Sequence, residues 1–261
     1  MKKYLLLLPF SCCLQLAHAD ATEATSPFSA NMTVTSQYIS RGFQQTWGNP
    51  AFQTGLDYAN PNGFFVGTWA STVSDDFVRN ASIEWDAYTG YSHSFGDLSL
   101  GVTVAYYLYP GAKTTAETGS TRFDYGEIIP QIGYGPLTVK YAVTYTHDYF
   151  GNNSETLGIG TNQHSRGSGY LDVNWHQPIV QGWSVDAHYG NQEVRNFSVA
   201  NFQDVSFKVN KTLPYDLSAS LMYSKAWDKD DYYKHYSNGN PDARVSDPID
   251  STVTFSVTKT F

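Results

Sequence analysis

The chain has 261 residues and a formal net charge of −8, with 15% charged and 16% aromatic residues. So many aromatic residues and so few charges exclude a disordered chain. The acidic balance lacks the basic surface that binding to phosphates requires, so we expect no nucleic-acid partner. A mean hydropathy of −0.38 fits a protein whose apolar residues alternate with polar ones instead of forming runs.

The first residues of the chain predict a signal peptide. Lys2 and Lys3 precede the apolar stretch 4–10, and Ala17-His18-Ala19 forms an A-x-A cleavage site. The apolar stretch is too short to cross a membrane as a helix. We therefore expect an exported protein whose mature chain begins at Asp20.

The rest of the chain predicts β-strands. In residues 98–106 and 137–145 every second residue is large and apolar, and most of the residues between them are small or polar. This alternation indicates strands, whereas helical periodicity and long apolar runs are absent from the sequence after position 19. About twelve such segments follow one another, centred near Thr33, Gly55, Thr68, Asp86, Val102, Ile128, Tyr141, Val173, Val185, Phe207, Ser220 and Phe255.

Short turns rich in Gly, Pro and Asn alternate with long polar stretches between these segments. The long stretches are 41–50, 74–80, 110–123, 149–168, 190–201 and 227–249. This arrangement is typical of an outer-membrane barrel with periplasmic turns and external loops. We therefore predict an all-β, antiparallel, transmembrane up-and-down β-barrel of about 12 strands. The expected organisation is a signal peptide at 1–19, a short N-terminal extension at 20–27 and the barrel at 28–261.

The two faces of each strand predict which side meets lipid. The apolar face suits hydrocarbon, and the face of Ser, Thr, Gly, Asn and Asp suits an aqueous interior. Aromatic residues near the strand ends are interpreted as girdles at the membrane interfaces: Tyr38, Trp69, Tyr91, Tyr106, Tyr134, Trp183, Tyr189 and Tyr223. A soluble periplasmic β-sandwich or lipocalin-like barrel remains the alternative.

The C-terminal segment indicates how the barrel is assembled. Val253, Phe255 and Val257 alternate along the last strand, and Phe261 ends the sequence. A C-terminal aromatic residue on an alternating strand resembles the recognition signal of bacterial outer-membrane barrels. We therefore expect the barrel assembly machinery as a partner, together with outer-membrane lipid and lipopolysaccharide.

A family resemblance is strongest over residues 33–130 and covers most of the mature chain. It is carried by TSQYISRGFQQT at 35–46, EWDAYTGY at 84–91 and further stretches at 50–58, 63–71, 106–111 and 125–127. Together they resemble the TorF-type porins of Gram-negative bacteria. The resemblance implies an outer-membrane barrel with a pore-like role, and no established substrate or catalytic residue.

Charged residues on the polar face are the candidate pore lining. They are Arg41, Asp57, Glu84, Asp86, Glu127, Lys140, Asp172, Asp186, Asp204 and Lys208. Seven acids and three bases in a narrow lumen would favour cations, because rings of charged side chains set the selectivity of a pore. Small hydrophilic solutes are then the expected cargo. The alternative is that these charges pair across the lumen and plug it.

The sequence offers three alternatives to a channel. His147-Asp148 and His164-Ser165 invite an outer-membrane lipase or protease, but no complete catalytic pattern accompanies them, so we expect no enzyme activity. The acidic run at 228–231 and residues 238–242 lack the Gly and Glu of a calcium loop, so no metal and no cofactor are expected. A non-conducting structural or interaction barrel that acts through its loops is the remaining alternative.

Overall fold

A computed structural model describes residues 26–115, 120–234 and 247–261. The predicted signal peptide at 1–19 lies outside the described residues, and so does most of the predicted extension. Twelve long strands account for nearly all of the regular structure: β1 Phe28–Thr35, β2 Ala51–Ala59, β3 Phe64–Thr72, β4 Ile83–Phe95, β5 Leu98–Leu108, β6 Tyr125–Tyr134, β7 Leu137–Thr144, β8 Gly169–Pro178, β9 Trp183–Glu193, β10 Phe202–Leu213, β11 Leu217–Asp228 and β12 Thr252–Thr260.

The strands close into a barrel. Each pairs antiparallel with its neighbours in sequence, and β1 also pairs with β12. The hydroxyls of Thr33 and Thr258 lie 2.7 Å apart at this seam. Closure leaves no unpaired sheet edge, which is the condition for a sheet in hydrocarbon. The predicted twelve-stranded antiparallel barrel is confirmed.

The connections at the two ends of the barrel differ in length, as predicted. Five short turns join the strands at one end, called here the short-turn end. In the first of them, the backbone N–H of Gly63 donates to the carbonyl of Asn60 at 2.9 Å. Gly63 has a φ of 100°, and a Cβ there would lie 2.1 Å from the carbonyl oxygen of Ser92. Only glycine fits this turn without strain.

The loops at the opposite, long-loop end carry the short elements. A hairpin of Ile39–Ser40 and Phe43–Gln44 lies between β1 and β2, and a second of Thr114–Thr115 and Ser120–Thr121 lies between β5 and β6. Helix α1, Ser154–Leu157, lies between β7 and β8. A single 3-10 turn, residues 198–200, precedes β10. No helix among the described residues is long and apolar enough to cross a bilayer.

The outer face of the barrel is apolar and the inner face is largely polar. On β1 and β2, Val34 and Phe52 are 60% and 48% exposed, whereas Thr33, Thr35 and Gln53 are buried. A soluble barrel would place these side chains the other way round. The predicted arrangement of apolar residues outside and polar residues inside is therefore present.

The girdle interpretation needs one correction. Tyr91, Tyr134 and Trp183 lie on the outside as expected, but Tyr38 and Trp69 are 2% and 3% exposed inside the barrel. Their rings pack edge to face, with centroids 5.4 Å apart. Trp69 follows the inward phase of β3, and Tyr38 lies in a loop that folds into the lumen. Position near a strand end therefore does not by itself place an aromatic residue at an interface.

Candidate functional site

The charged residues predicted to line a pore lie inside the barrel. Nine are on strands: Asp57 on β2, Glu84 and Asp86 on β4, Glu127 on β6, Lys140 on β7, Asp172 on β8, Asp186 on β9, and Asp204 and Lys208 on β10. Arg41 is in the loop between β1 and β2. These side chains fall into small networks spread between the two ends of the barrel.

Arg41 connects its loop to the barrel wall. Its Nη2 donates to Glu127 Oε2 at 2.6 Å, and its Nη1 donates to Glu127 Oε1 at 3.1 Å and to Gln192 Oε1 at 2.9 Å. The guanidinium also lies 4.2 Å from the centre of the Tyr170 ring. A bidentate pair of guanidinium and carboxylate is among the strongest and most directional ionic contacts in proteins. It holds the loop between β1 and β2 inside the lumen.

The residue after Arg41 explains how the loop comes so close to the wall. Gly42 has a φ of 79°, and a Cβ there would lie 2.5 Å from the Cβ of Ala226 on β11. Any larger residue would push the loop away from the strand. The Arg-Gly dipeptide therefore combines a charged anchor with the close approach that the anchor requires.

A histidine bridges two carboxylates in the lumen. The Nδ1 of His188 is 3.1 Å from Asp172 Oδ1, and its Nε2 is 2.8 Å from Asp204 Oδ2. The hydroxyl of Tyr170 donates to the other oxygen of Asp204 at 2.9 Å. The amide of Asn174 donates to Asp172. The network ties β8, β9 and β10 together through their inner faces.

A second network lies nearer the short-turn end. Asp186 accepts from the amide of Asn210 at 2.7 Å and pairs with the ammonium of Lys208 at 3.2 Å. The Nδ1 of His176 lies 2.5 Å from its other oxygen. Three partners from neighbouring strands therefore surround one carboxylate.

The remaining acids are less completely paired. Asp57 accepts from the Tyr88 hydroxyl at 2.5 Å. Glu84 Oε2 and Asp86 Oδ1 are buried and have no hydrogen-bond partner in the part of the chain that the structure describes. Lys140 is buried on β7 and lies opposite Asp172 in the strand register. Several of the predicted charges are thus paired, as the alternative of a plugged lumen predicts. Two neighbouring acids on β4 each have one oxygen without a hydrogen-bond partner among the described residues.

Aromatic side chains from the loops pack into the long-loop end of the barrel. The ring of Phe43 lies 4.8 Å from Phe202 and 4.9 Å from Tyr233, and the ring of Phe150 lies 5.0 Å from Phe123. Burial raises the pKa of Tyr149 to about 12, so its phenol stays neutral. The sequence prediction missed this cluster because it treated the loops as hydrophilic. Large aromatic residues inside predicted loops were the available signal.

The loop residues considered for catalysis have structural roles. The hydroxyl of Ser165 donates to the carbonyl of Asn152 at 2.6 Å and accepts from the backbone N–H of Tyr149 at 2.8 Å. His164 Nδ1 is 2.8 Å from Asp148 Oδ1. Ser165 is completely buried. Its two hydrogen bonds and the contact between His164 and Asp148 therefore stabilise the loop between β7 and β8.

The acidic run in the last long loop caps a turn. The carboxylate of Asp228 accepts from the backbone N–H groups of Asp230, Tyr232 and Tyr233. Residues 238–242 lie outside the described residues. Within the described ranges, no group of three or more His, Cys, Asp or Glu residues could hold a metal ion.

The predicted assembly signal lies on the outside of β12. Val253 and Phe255 are exposed, Phe261 follows the end of the strand, and Val257 is half-buried. Between them Thr254 and Thr258 point inward and are buried. The predicted alternation of this strand is therefore present, and its role in assembly stays a prediction.

Comparison with known proteins places the chain in a family. Residues 20–261 match the profile described as "Bacterial protein of unknown function (Gcw_chp)". The chain belongs to this family. No curated protein matches it.

Among solved structures, the KdgM porin shares the barrel fold of this chain. The KdgM porin is 8% identical, with 89% of this chain and 99% of that chain covered and a TM-score of 0.51. The outer membrane protein OprD from Pseudomonas aeruginosa is 10% identical, with 92% of this chain and 66% of that chain covered and a TM-score of 0.41. The likeness to KdgM extends over nearly the whole of both barrels.

Proposed function

We propose that this protein is a porin-type channel in the outer membrane of a Gram-negative bacterium, through which small hydrophilic solutes diffuse. The observation that carries the proposal is a closed twelve-stranded barrel with an apolar outside and a charged inside. Such a barrel buries its apolar surface only in lipid, and its inner charged side chains need contact with water. The resemblance to TorF-type porins supports the same function.

The location follows from the same surface. The exposed apolar side chains of the strands would contact outer-membrane lipid, and the long loops would meet lipopolysaccharide. The export signal at 1–19 and the assembly signal at Val253, Phe255, Val257 and Phe261 are parts of this proposal. The match to the family begins at residue 20, directly after the proposed cleavage site.

A preference for cations is the finer part of the proposal. The inner face carries seven acids and three bases, and the two histidines in its networks each sit beside carboxylates. Two of the acids, Glu84 and Asp86, lie two positions apart on the inner face of β4. A lumen of this charge would raise the local concentration of cations.

The test is conductance of the purified protein in planar lipid bilayers. We expect stepwise openings. In a KCl gradient, the reversal potential should shift toward the equilibrium potential of K⁺. A double variant, Glu84→Gln with Asp86→Asn, should reduce the cation preference. The matched control is Asp75→Asn, which changes an acid in the loop between β3 and β4. Anion selectivity would refute the preference, and absence of openings would refute the channel.

A non-conducting barrel is the second candidate, and the aromatic cluster favours it. The rings of Phe43, Phe77 and Phe150 pack across the long-loop end of the lumen, together with Phe202 and Tyr233. A barrel closed in this way would act through its loops. If the protein is folded and heat-modifiable but produces no current steps in the bilayer, that result would support this function over the channel.

A further inference from the structure

Two histidines lie side by side in the loop between β7 and β8. The rings of His147 and His164 meet edge to face, with their centres 4.8 Å apart and their planes at 69°. Both side chains are exposed at the long-loop end of the barrel. Because many residues separate them in sequence, the fold of the loop brings the two rings together.

The two rings have nitrogens to offer a ligand. The Nδ1 of His164 lies 2.8 Å from Asp148 Oδ1. A carboxylate accepts, so in the neutral ring Nδ1 carries the proton and Nε2 keeps its lone pair. Neither Nε2 of His164 nor either ring nitrogen of His147 has a hydrogen-bond partner among the described residues. A neutral imidazole with a free lone pair is the commonest metal ligand that proteins use.

The carboxylate behind His164 is itself held in place. Its Oδ2 accepts from the amide of Asn153 at 2.9 Å, and its Oδ1 also accepts from the backbone N–H of Ser165 at 3.4 Å. Carboxylates hold metal-binding histidines in this way, because the hydrogen bond fixes the ring and makes its free nitrogen more basic. His164 is therefore oriented as a ligand before any ion arrives.

The chain around the pair is also well ordered by hydrogen bonds. Asn153 and His164 form an isolated antiparallel bridge. The hydroxyl of Ser165 accepts from the backbone N–H of Tyr149 at 2.8 Å, two residues after His147. Little conformational freedom is then left to lose when a ligand joins the two histidines, and such preorganisation favours binding.

The distance between the rings fits one shared ion. A metal ion lies about 2.1 Å from an imidazole nitrogen and so about 3.2 Å from the centre of the ring. Two imidazoles at a right angle or a tetrahedral angle about one ion then have centres about 4.5–5.2 Å apart. The separation of 4.8 Å lies within this range. His147 is exposed and can turn a nitrogen toward an ion that His164 holds.

We propose that His147 and His164 form a binding site for a divalent transition-metal ion such as Cu²⁺, Ni²⁺ or Zn²⁺. Asp148 positions His164, and water completes the coordination because the pair is exposed. Imidazole nitrogens suit these ions, whereas Ca²⁺ and Mg²⁺ prefer oxygen ligands. Binding at this site does not depend on conduction through the barrel.

The test is titration of the detergent-solubilised protein, purified without a histidine tag, with Cu²⁺. Calorimetry measures the affinity, and pulsed electron paramagnetic resonance counts the imidazoles on the bound ion. The wild-type spectrum should show two. His147→Gln and His164→Gln should each weaken binding at least about tenfold, because one imidazole alone lacks the gain from two linked ligands. Their spectra should show fewer imidazoles than that of the wild type.

Two further variants separate the ligands from the residue that positions them. Asp148→Asn should weaken Cu²⁺ binding less than the loss of a histidine does, and its spectrum should still show two imidazoles. His93→Gln is the matched control, because it removes an exposed histidine on the outer face of β4, where the ring packs against Phe95 at 4.6 Å. This variant should bind Cu²⁺ as the wild type does. Heat-modifiable migration on gels checks that each variant is folded.

Several results would overturn the site. They are equal affinity in His147→Gln and the wild type, a single imidazole in the wild-type spectrum, or displacement of Cu²⁺ by an equal concentration of Mg²⁺. Unchanged affinity in Asp148→Asn would refute the positioning role of the carboxylate. Bilayer conductance bears on the channel alone, so the channel and the metal site are tested by different measurements.

Discussion

Replacing Arg41 with methionine removes one partner of a buried ion pair and leaves the other in place. The side chain of Glu127 is 1% exposed and that of Arg41 is 13% exposed. Breaking such a pair from one side costs about 3–5 kcal/mol, because the remaining charge stays buried without compensation. Among the described residues, Glu127 would still accept a hydrogen bond from the hydroxyl of Tyr107, at 3.2 Å. We therefore expect Arg41→Met to lower the free energy of unfolding by at least about 3 kcal/mol.

The assay is urea unfolding of the protein in lipid vesicles, followed by tryptophan fluorescence and by migration on gels. Adding Glu127→Gln to Arg41→Met removes the stranded charge, so the double variant should recover much of the loss. Arg122→Met is the matched control, because the Arg122–Asp124 pair spans 3.8 Å and the Arg122 side chain is 74% exposed. Such surface pairs contribute at most about 1 kcal/mol. A loss in Arg41→Met as small as that in Arg122→Met would refute the reasoning.

Three further predictions concern other parts of the barrel. Combining Glu84→Gln with Asp86→Asn should stabilise the protein by about 1 kcal/mol or more in the same unfolding assay, because neutral amides replace two neighbouring buried acids whose charged forms are costly to bury; a destabilised variant would contradict this. Gly63→Ala should cost more than about 1 kcal/mol, whereas Gly96→Ala, where the added Cβ meets nothing within 4 Å, should cost less. Phe43→Ala should enlarge the opening at the long-loop end and raise single-channel conductance, and an unchanged conductance would place the narrowest point elsewhere.

The strands were predictable from the sequence because their signal is local. The alternation in residues 98–106 indicates which side chains of β5 face outward and which face inward, without reference to any other strand. The same alternation predicts that the charged residues of β4, β6 and β8 point into the barrel. Gly, Pro and Asn marked the short turns for an equally local reason, since they set the backbone angles of each turn.

The contacts inside the barrel were not predictable in the same way. Arg41 and Glu127 are 86 residues apart in sequence, and no local pattern pairs them. Tyr38 has the sequence position of a girdle residue, but its loop folds into the barrel and buries it. The aromatic cluster depends on five loops that meet only after the barrel closes, so the cluster has no signature in any one segment.

The seam between β1 and β12 also constrains the order of folding. The hydroxyl contact between Thr33 and Thr258 joins residues 225 positions apart, and contacts of such long range are slow to form because the entropy of the intervening chain must first be lost. The other strand pairs are between neighbours in sequence and can form progressively. We therefore expect closure of the cylinder to be the last step. Until then the first and last strands both present open edges that could pair with another chain. Those edges need protection from other chains until the cylinder closes.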